Sequence, residues 1–141
     1  MAIWQVSLHL VNDNGQICYF DSDFQKSLQL LEITLPEEKS WCPSIKQFGK
    51  IDSTCLEIDC SSDGHIEEFS LRIDLRNITK PQVDIICEFA NQNNLVIQHK
   101  NQTFECTTES ISHILRQSEG MAFVKNPVQF LQHVKSNNEH T

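Results

Sequence analysis

The feature that most constrains the fold is a pair of alternating segments joined by the turn Asp63-Gly64. Their apolar positions are Leu56, Ile58, Phe69, Leu71, Ile73 and Leu75, each separated from the next in its segment by one polar residue. Successive side chains of a strand point to opposite faces, and Asp-Gly favours a tight hairpin turn. The pattern predicts a β-hairpin over residues 51–60 and 65–76, with one apolar and one polar face.

The polar face of this hairpin holds most of the candidate functional residues. Alternation places Arg72, Asp74 and Arg76 on one side of the second strand, with Glu57 and Asp59 on the polar side of the first. The two arginines would lie about 13 Å apart along the strand. Their guanidinium groups suit bidentate capture of a carboxylate or phosphate. The alternative is cross-strand ion pairing, with Glu57 and Asp59 as partners of Arg72 and Arg76, worth a few tenths of a kcal/mol per pair.

Before the hairpin, the sequence predicts two strands and one helix. Alternation over residues 2–11 indicates a strand that adds Gln5, Ser7 and His9 to the polar face, His9 being a candidate proton-transfer group. The Asp-Asn-Gly turn at 13–15 would lead into a short return strand at 17–20, and residues 23–32 have helical spacing. Residues 34–48 are expected to be irregular because prolines interrupt them, although Pro36 could begin a helical turn.

After the hairpin, Thr79 is the expected N-cap of a second helix, which is followed by short strands at 95–97 and 103–106. Thr107 or Thr108 would cap a third helix, and Asn126-Pro127 would start a last one. The chain, 1–141, is therefore predicted to be a single α+β domain whose antiparallel sheet carries helices on one face. The order βαββαβ is compatible with a ferredoxin-like sandwich.

The charge of the chain is concentrated in this hairpin. The net charge is −8, and residues 51–76 hold seven acids against two arginines, which gives −5. An acidic balance argues against nucleic-acid binding, because cations supply most of that affinity. Two interpretations remain open: a solvated hairpin that keeps the protein soluble, or a docking surface for a basic protein partner.

Cysteines and missing motifs limit the other functional classes. The six cysteines form no CxxC pair, and the chain starts without a secretion signal, so we expect reduced thiols and a cytoplasmic location. Cys87 falls on the apolar stripe of a predicted helix, as a small hydrophobe would. The sequence has no zinc pattern, glycine-rich phosphate loop or span of about 20 apolar residues, so we predict no metal, no cofactor and no membrane partner.

Residues 70–131 resemble small bacterial α+β domains of uncharacterised function. The similarity rests on the segments Leu71-Arg72-Ile73-Asp74-Leu75-Arg76, Asn94-Leu95-Val96, Phe123-Val124-Lys125-Asn126-Pro127 and Phe130-Leu131. The chain is also similar to the acidic immunity proteins of bacterial toxin systems, whose negative charge suits basic toxins. Neither resemblance implies a role for a particular residue.

Two functions follow as expectations. The first is a soluble, immunity-like interaction module that binds a protein through its acidic hairpin or polar sheet face. The alternative is a small-ligand binder or enzyme that takes an anionic substrate on Arg72, Asp74, Arg76 and His9, which requires these side chains to converge on one pocket. A homodimer that pairs its sheet faces is a third possibility.

Overall fold

A computed structural model describes residues 2–123 of the chain, and it has an α+β fold. The predicted helix that starts at Asn126-Pro127 lies outside the described residues. The strands are β1 (Gln5–Asn12), β2 (Cys18–Tyr19), β3 (Glu37–Glu38), β4 (Ile45–Phe48), β5 (Cys55–Cys60), β6 (His65–Asp74), β7 (Leu95–His99) and β8 (Gln102–Phe104). The helices are α1 (Ser22–Glu32), α2 (Lys80–Gln92) and α3 (Thr108–Arg116), followed by a short 3-10 helix, Glu119–Phe123. None of the helices within residues 2–123 is long and apolar enough to cross a membrane.

All strand pairs of the sheet are antiparallel, in the order β3-β4-β5-β6-β1-β7-β8, with β2 also paired to β6. The inner strands β5-β6-β1-β7, connected through α1 and α2, have the order of a ferredoxin-like sandwich. The β5–β6 hairpin confirms the prediction from alternation, although β6 ends at Asp74, before Arg76. Gly64 takes the positive φ of +89° that the turn between these strands requires.

One apolar core lies between the sheet and the helices. Val6, Leu8 and Leu10 of β1 lie opposite Ile73, Leu71 and Phe69 of β6, and all six are buried. Phe24 of α1 and Phe89 of α2 pack against the ring of Phe69, at centroid distances of 6.0 and 6.4 Å. Such aromatic pairs add about 0.5–1.5 kcal/mol each beyond their buried area. The helices therefore cover one face of the sheet, as predicted.

Side-chain caps fix where the helices begin. Asp21 accepts from the backbone N–H of Phe24 at the start of α1, and Thr107 accepts from that of Ser110 at the start of α3. At the start of α2, Thr79 and Gln82 form a reciprocal capping box. Thr79 is the cap predicted for α2, and Thr107 is the one of its two candidates that the structure uses.

Two of the sequence expectations are wrong. Residues 34–48 are irregular only in part, because β3 and β4 extend the sheet beyond β5, and Glu37 lies in a strand instead of a helical turn. The segment after Gly15 is not a return strand. Both β1 and β2 run antiparallel to β6, with Leu10 opposite Phe69 and Cys18 opposite Ile66, so β2 continues the line of β1. Residues 13–17 therefore form an excursion and do not reverse the chain.

Candidate functional site

The polar face of the sheet, opposite the helices, divides into a covered end and an exposed end. Gln5, Cys55 and Asp74 form the covered end, and all three are buried. The segment 50–53 crosses the sheet here, because the Gln5 Nε2 amide donates to the carbonyls of Ile51 and Ser53 at 3.0 and 2.7 Å. The expectation of a fully solvated polar face is therefore wrong for this end.

At the covered end, the guanidinium group of Arg76 forms an ion pair with the carboxylate of Asp74. Its Nε and NH2 groups donate to the two oxygens of Asp74, at 3.0 and 2.9 Å, and its guanidinium carbon lies 4.0 Å from the ring centre of Trp4. The Asp74 hydrogen bond is the main reason that the pKa of Arg76 is raised. A bidentate, stacked guanidinium has few donors left for a ligand.

Arg72 is paired in the middle of the face. Its NH2 group lies 3.4 Å from Oε1 of Glu57, and Oε2 of the same carboxylate accepts from the Trp41 indole at 2.9 Å. The Glu57 side chain is 10% exposed, whereas the Trp41 ring is largely exposed. Beside them, burial raises the pKa of the Cys55 thiol to about 11, so this cysteine stays protonated at neutral pH. A protonated, buried thiol is a poor nucleophile.

The exposed end contains a pocket of about 410 Å³. Its polar lining comes from β1, β5, β6, β7 and the 13–17 segment, and consists of His9, Asn12, Gln16, Asp59, Glu67, Glu68 and Gln98. Two irregularities form it. The excursion at 13–17 interrupts the strand line of β1 and β2, held by Asn12 Oδ1, which accepts from the backbone N–H groups of Asn14 and Gln16. Opposite it, Asp59 pairs with Glu68 but Cys60 with Ile66, so Glu67 is a bulge residue.

The pocket is acidic. Because of the bulge, both Glu67 and Glu68 are exposed, and Glu68 lies directly across from Asp59 on β5. Within residues 2–123, the ion pairs of Glu67 and Glu68 are with histidines. His9 Nδ1 is 3.1 Å from Glu68, and His65 Nε2 is 3.7 Å from Glu67. We name the group of Asp59, Glu67, Glu68 and His9 the acidic pocket.

The six predicted site residues do not converge on one pocket. His9 and Asp59 line the acidic pocket, whereas Glu57, Arg72, Asp74 and Arg76 do not. Of the cross-strand ion pairs proposed, Glu57 with Arg72 is present, but Arg76 pairs with Asp74 instead of Asp59. The residues that were missed are Glu67, Glu68 and Trp41. A signal for the bulge was available, because Ile66 and Phe69 are three residues apart, which strict alternation does not allow on one face.

Neither a search for metal-ligand clusters nor a comparison with known proteins assigns a role to this site. Within residues 2–123, no three His, Cys, Asp or Glu side chains come together in a way that could hold a metal ion. A comparison of the chain with protein-family models, curated proteins and solved structures found no match.

Proposed function

We propose that this chain is a protein-binding module whose acidic pocket and Trp41 receive a basic segment of a partner protein. The observation that carries the proposal is the distribution of charge on the polar face. Both arginines of this face are neutralised by carboxylates of the same chain, through Glu57 and Asp74. Of the acidic-pocket carboxylates, those of Glu67 and Glu68 form ion pairs, and within the described part of the chain these are with histidines. The face therefore favours cations over anions.

The shape of the acidic pocket supports a side-chain guest. A pocket of about 410 Å³ exceeds the volume of one lysine or arginine side chain, and its carboxylates come from two adjacent strands. Carboxylates that face each other across strands repel, here Asp59 and Glu68. A bound guanidinium or ammonium group would relieve this repulsion and form charge-assisted hydrogen bonds.

Trp41 supports the same guest chemistry. Its ring is 71% exposed, while its indole N–H is held by Glu57 on the polar face. An exposed tryptophan fixed by a carboxylate is suited to stack on a cationic side chain, a contact worth about 0.5–1 kcal/mol at exposed sites. Large aromatic side chains are also common at the centre of protein interfaces.

The charge distribution is less favourable to the other two functions that the sequence suggested. An anionic ligand on Arg72 or Arg76 would have to displace Glu57 or Asp74, the second of which is fully buried. A homodimer that pairs two copies of this face would bring two acidic pockets together, and the like charges would oppose it. We further propose a reducing compartment such as the cytoplasm, because all six cysteines are free thiols.

The experiment is a binding titration of the whole chain with a fluorescent arginine-rich peptide, followed by anisotropy. The test variant is Glu67→Gln/Glu68→Gln. The control is Glu32→Gln/Glu88→Gln, which removes the same two charges from exposed positions on α1 and α2. Exposed ion pairs contribute about 0.2–1 kcal/mol each, so the test variant should weaken binding about 2- to 30-fold.

The control variant separates a site from a general charge effect. We expect Glu32→Gln/Glu88→Gln to bind nearly as tightly as the natural chain, and the affinity of the natural chain to fall as NaCl is raised from about 0.05 to about 0.5 M. Equal weakening by both variants would contradict the proposal, because affinity would then follow net charge alone. An affinity that is insensitive to salt would also contradict it.

A further inference from the structure

Two buried thiols meet at the junction of α2 and α3, away from the polar face. Cys87 lies on the buried side of α2, and Cys106 lies just before Thr107, the N-cap of α3. Their Sγ atoms are 3.8 Å apart and hydrogen-bonded, and the residues are 8% and 1% exposed. A disulfide needs an S–S distance of about 2.05 Å, so a rotation of one or both side chains would bring the sulfurs into bonding range.

A cavity lies next to this pair. Cys106 lines a cavity of about 330 Å³ together with polar groups that include Asn91, Asn94, Glu105 and Thr107. The Asn91 side-chain amide donates to the Cys106 carbonyl at 3.4 Å, which ties the end of α2 to the segment before α3. The cavity is large enough for a reagent of a few atoms, and Cys106 is the one of the two cysteines that lines it.

We propose that Cys87 and Cys106 are a dithiol oxidation site that a small hydroperoxide converts into an intramolecular disulfide. In the first step, the Cys106 thiolate attacks the terminal peroxide oxygen, the O–O bond breaks, and the leaving hydroxide or alkoxide takes up a proton to become water or an alcohol. Cys106 is then a sulfenic acid. In the second step the Cys87 sulfur attacks the Cys106 sulfur, the S–O bond breaks, and the thiol proton leaves with hydroxide as water. Two thiols are oxidised and one peroxide is reduced.

The surroundings make Cys106 the first of the two to react. Either sulfur can donate the hydrogen bond between them, and when Cys87 donates it, the bond lowers the pKa of the Cys106 thiol and raises that of Cys87. Cys106 also precedes the N-terminus of a nine-residue helix, whose dipole favours an anion. Cys87 is then the resolving thiol. The site is independent of the acidic pocket, so the fate of one proposal does not decide the other.

The test is oxidation of the folded whole chain with hydrogen peroxide, followed by mass spectrometry. To remove competing exposed thiols, the chain carries Cys18→Ser, Cys42→Ser and Cys60→Ser. We expect the intact mass to fall by two hydrogen atoms, with recovery after reduction by dithiothreitol. Cleavage by trypsin after Lys100 separates the two cysteines, so a disulfide between them appears as one linked peptide pair that reduction splits.

Cys55 is the internal control, because it is equally buried but its thiol is held protonated. We expect it to stay reduced while the pair reacts. If Cys55 is oxidised as fast as Cys106, the reaction runs through unfolding and the proposal is overturned. Oxidation of Cys106 to a sulfinic acid with Cys87 still free would also overturn it. In the variant Cys87→Ser, dimedone should trap a sulfenic acid on Cys106. The linked peptide of the parent chain decides the matter even if this variant fails to fold.

Discussion

The pairing of Arg72 with Glu57 leads to a prediction about stability that also tests the charge distribution of the polar face. In the variant Arg72→Met, the Glu57 carboxylate keeps its hydrogen bond from Trp41 but loses the cation with which it forms an ion pair in the described part of the chain. Breaking a fully buried ion pair costs about 3–5 kcal/mol. Glu57 is 10% exposed and the pair is 3.4 Å long, so we expect a smaller loss, about 1–3 kcal/mol of unfolding free energy.

A double variant shows whether the two groups are coupled. In Arg72→Met/Glu57→Gln, a neutral amide replaces the carboxylate and needs no cation, so we expect the double variant to be more stable than Arg72→Met alone. The assay is urea unfolding at neutral pH, followed by far-UV circular dichroism. A second assay follows thermal unfolding while phosphate is added. Because Arg72 is paired with Glu57, we expect phosphate to change the Tm of the natural chain and of Arg72→Met equally.

Either of two results would refute this reasoning. If Arg72→Met is as stable as the natural chain, the ion pair does not hold Arg72 in place. If phosphate raises the Tm of the natural chain but not of Arg72→Met, the guanidinium is free to bind anions. The arginine face would then be a ligand site, as the alternative interpretation of the sequence has it.

Three further predictions concern backbone, capping and charge. Gly49→Ala should destabilise the chain by more than about 1 kcal/mol in urea unfolding, because φ is +86° and a Cβ would lie 2.3 Å from the Thr54 carbonyl oxygen, whereas Gly15→Ala, with open space around it, should cost less. Thr79→Ala removes the capping box of α2 and should cost about 1 kcal/mol in the same assay. The hydrogen bond from Lys80 lowers the pKa of Asp84. The contribution of this pair to the free energy of unfolding should therefore be present at neutral pH and be lost as the pH falls below about 4. In Asp84→Asn, the free energy of unfolding measured against pH should show a smaller acid-induced loss.

Local chemistry explains which parts of the fold were predictable. The β5–β6 hairpin follows from alternation and the Asp63-Gly64 turn, and α2 follows from its cap at Thr79, because both signals act within a few residues. The excursion at 13–17 was mistaken for a hairpin turn. Its Asn-Gly sequence indicates a tight turn, but which way the chain leaves it depends on the pairing of β2 with distant β6.

The functional part of the sheet was less predictable because it depends on long-range contacts. The segment 50–53 covers one end of the polar face because Gln5 donates hydrogen bonds to its carbonyls, which are more than 40 residues away in the sequence, and no local pattern encodes these bonds. Trp41 lies in the bend before β4, and the pairing of β4 with β5, which the sequence did not indicate, brings this segment near Glu57. The sequence did place the excess acids correctly in the hairpin, but the bulge at Glu67 decides which of them share a pocket.

We propose that a basic segment of a partner protein binds at the exposed end of the polar face. The most direct measurement is a set of ¹H–¹⁵N correlation spectra of the whole chain, recorded during titration with an unlabelled arginine-rich peptide. We expect the peptide to cause the largest chemical-shift changes at the backbone amides around His9, Asp59 and Glu68 and at the Trp41 indole N–H. Shifts concentrated on α1 and α2, or spread evenly over the exposed acids of the chain, would contradict it.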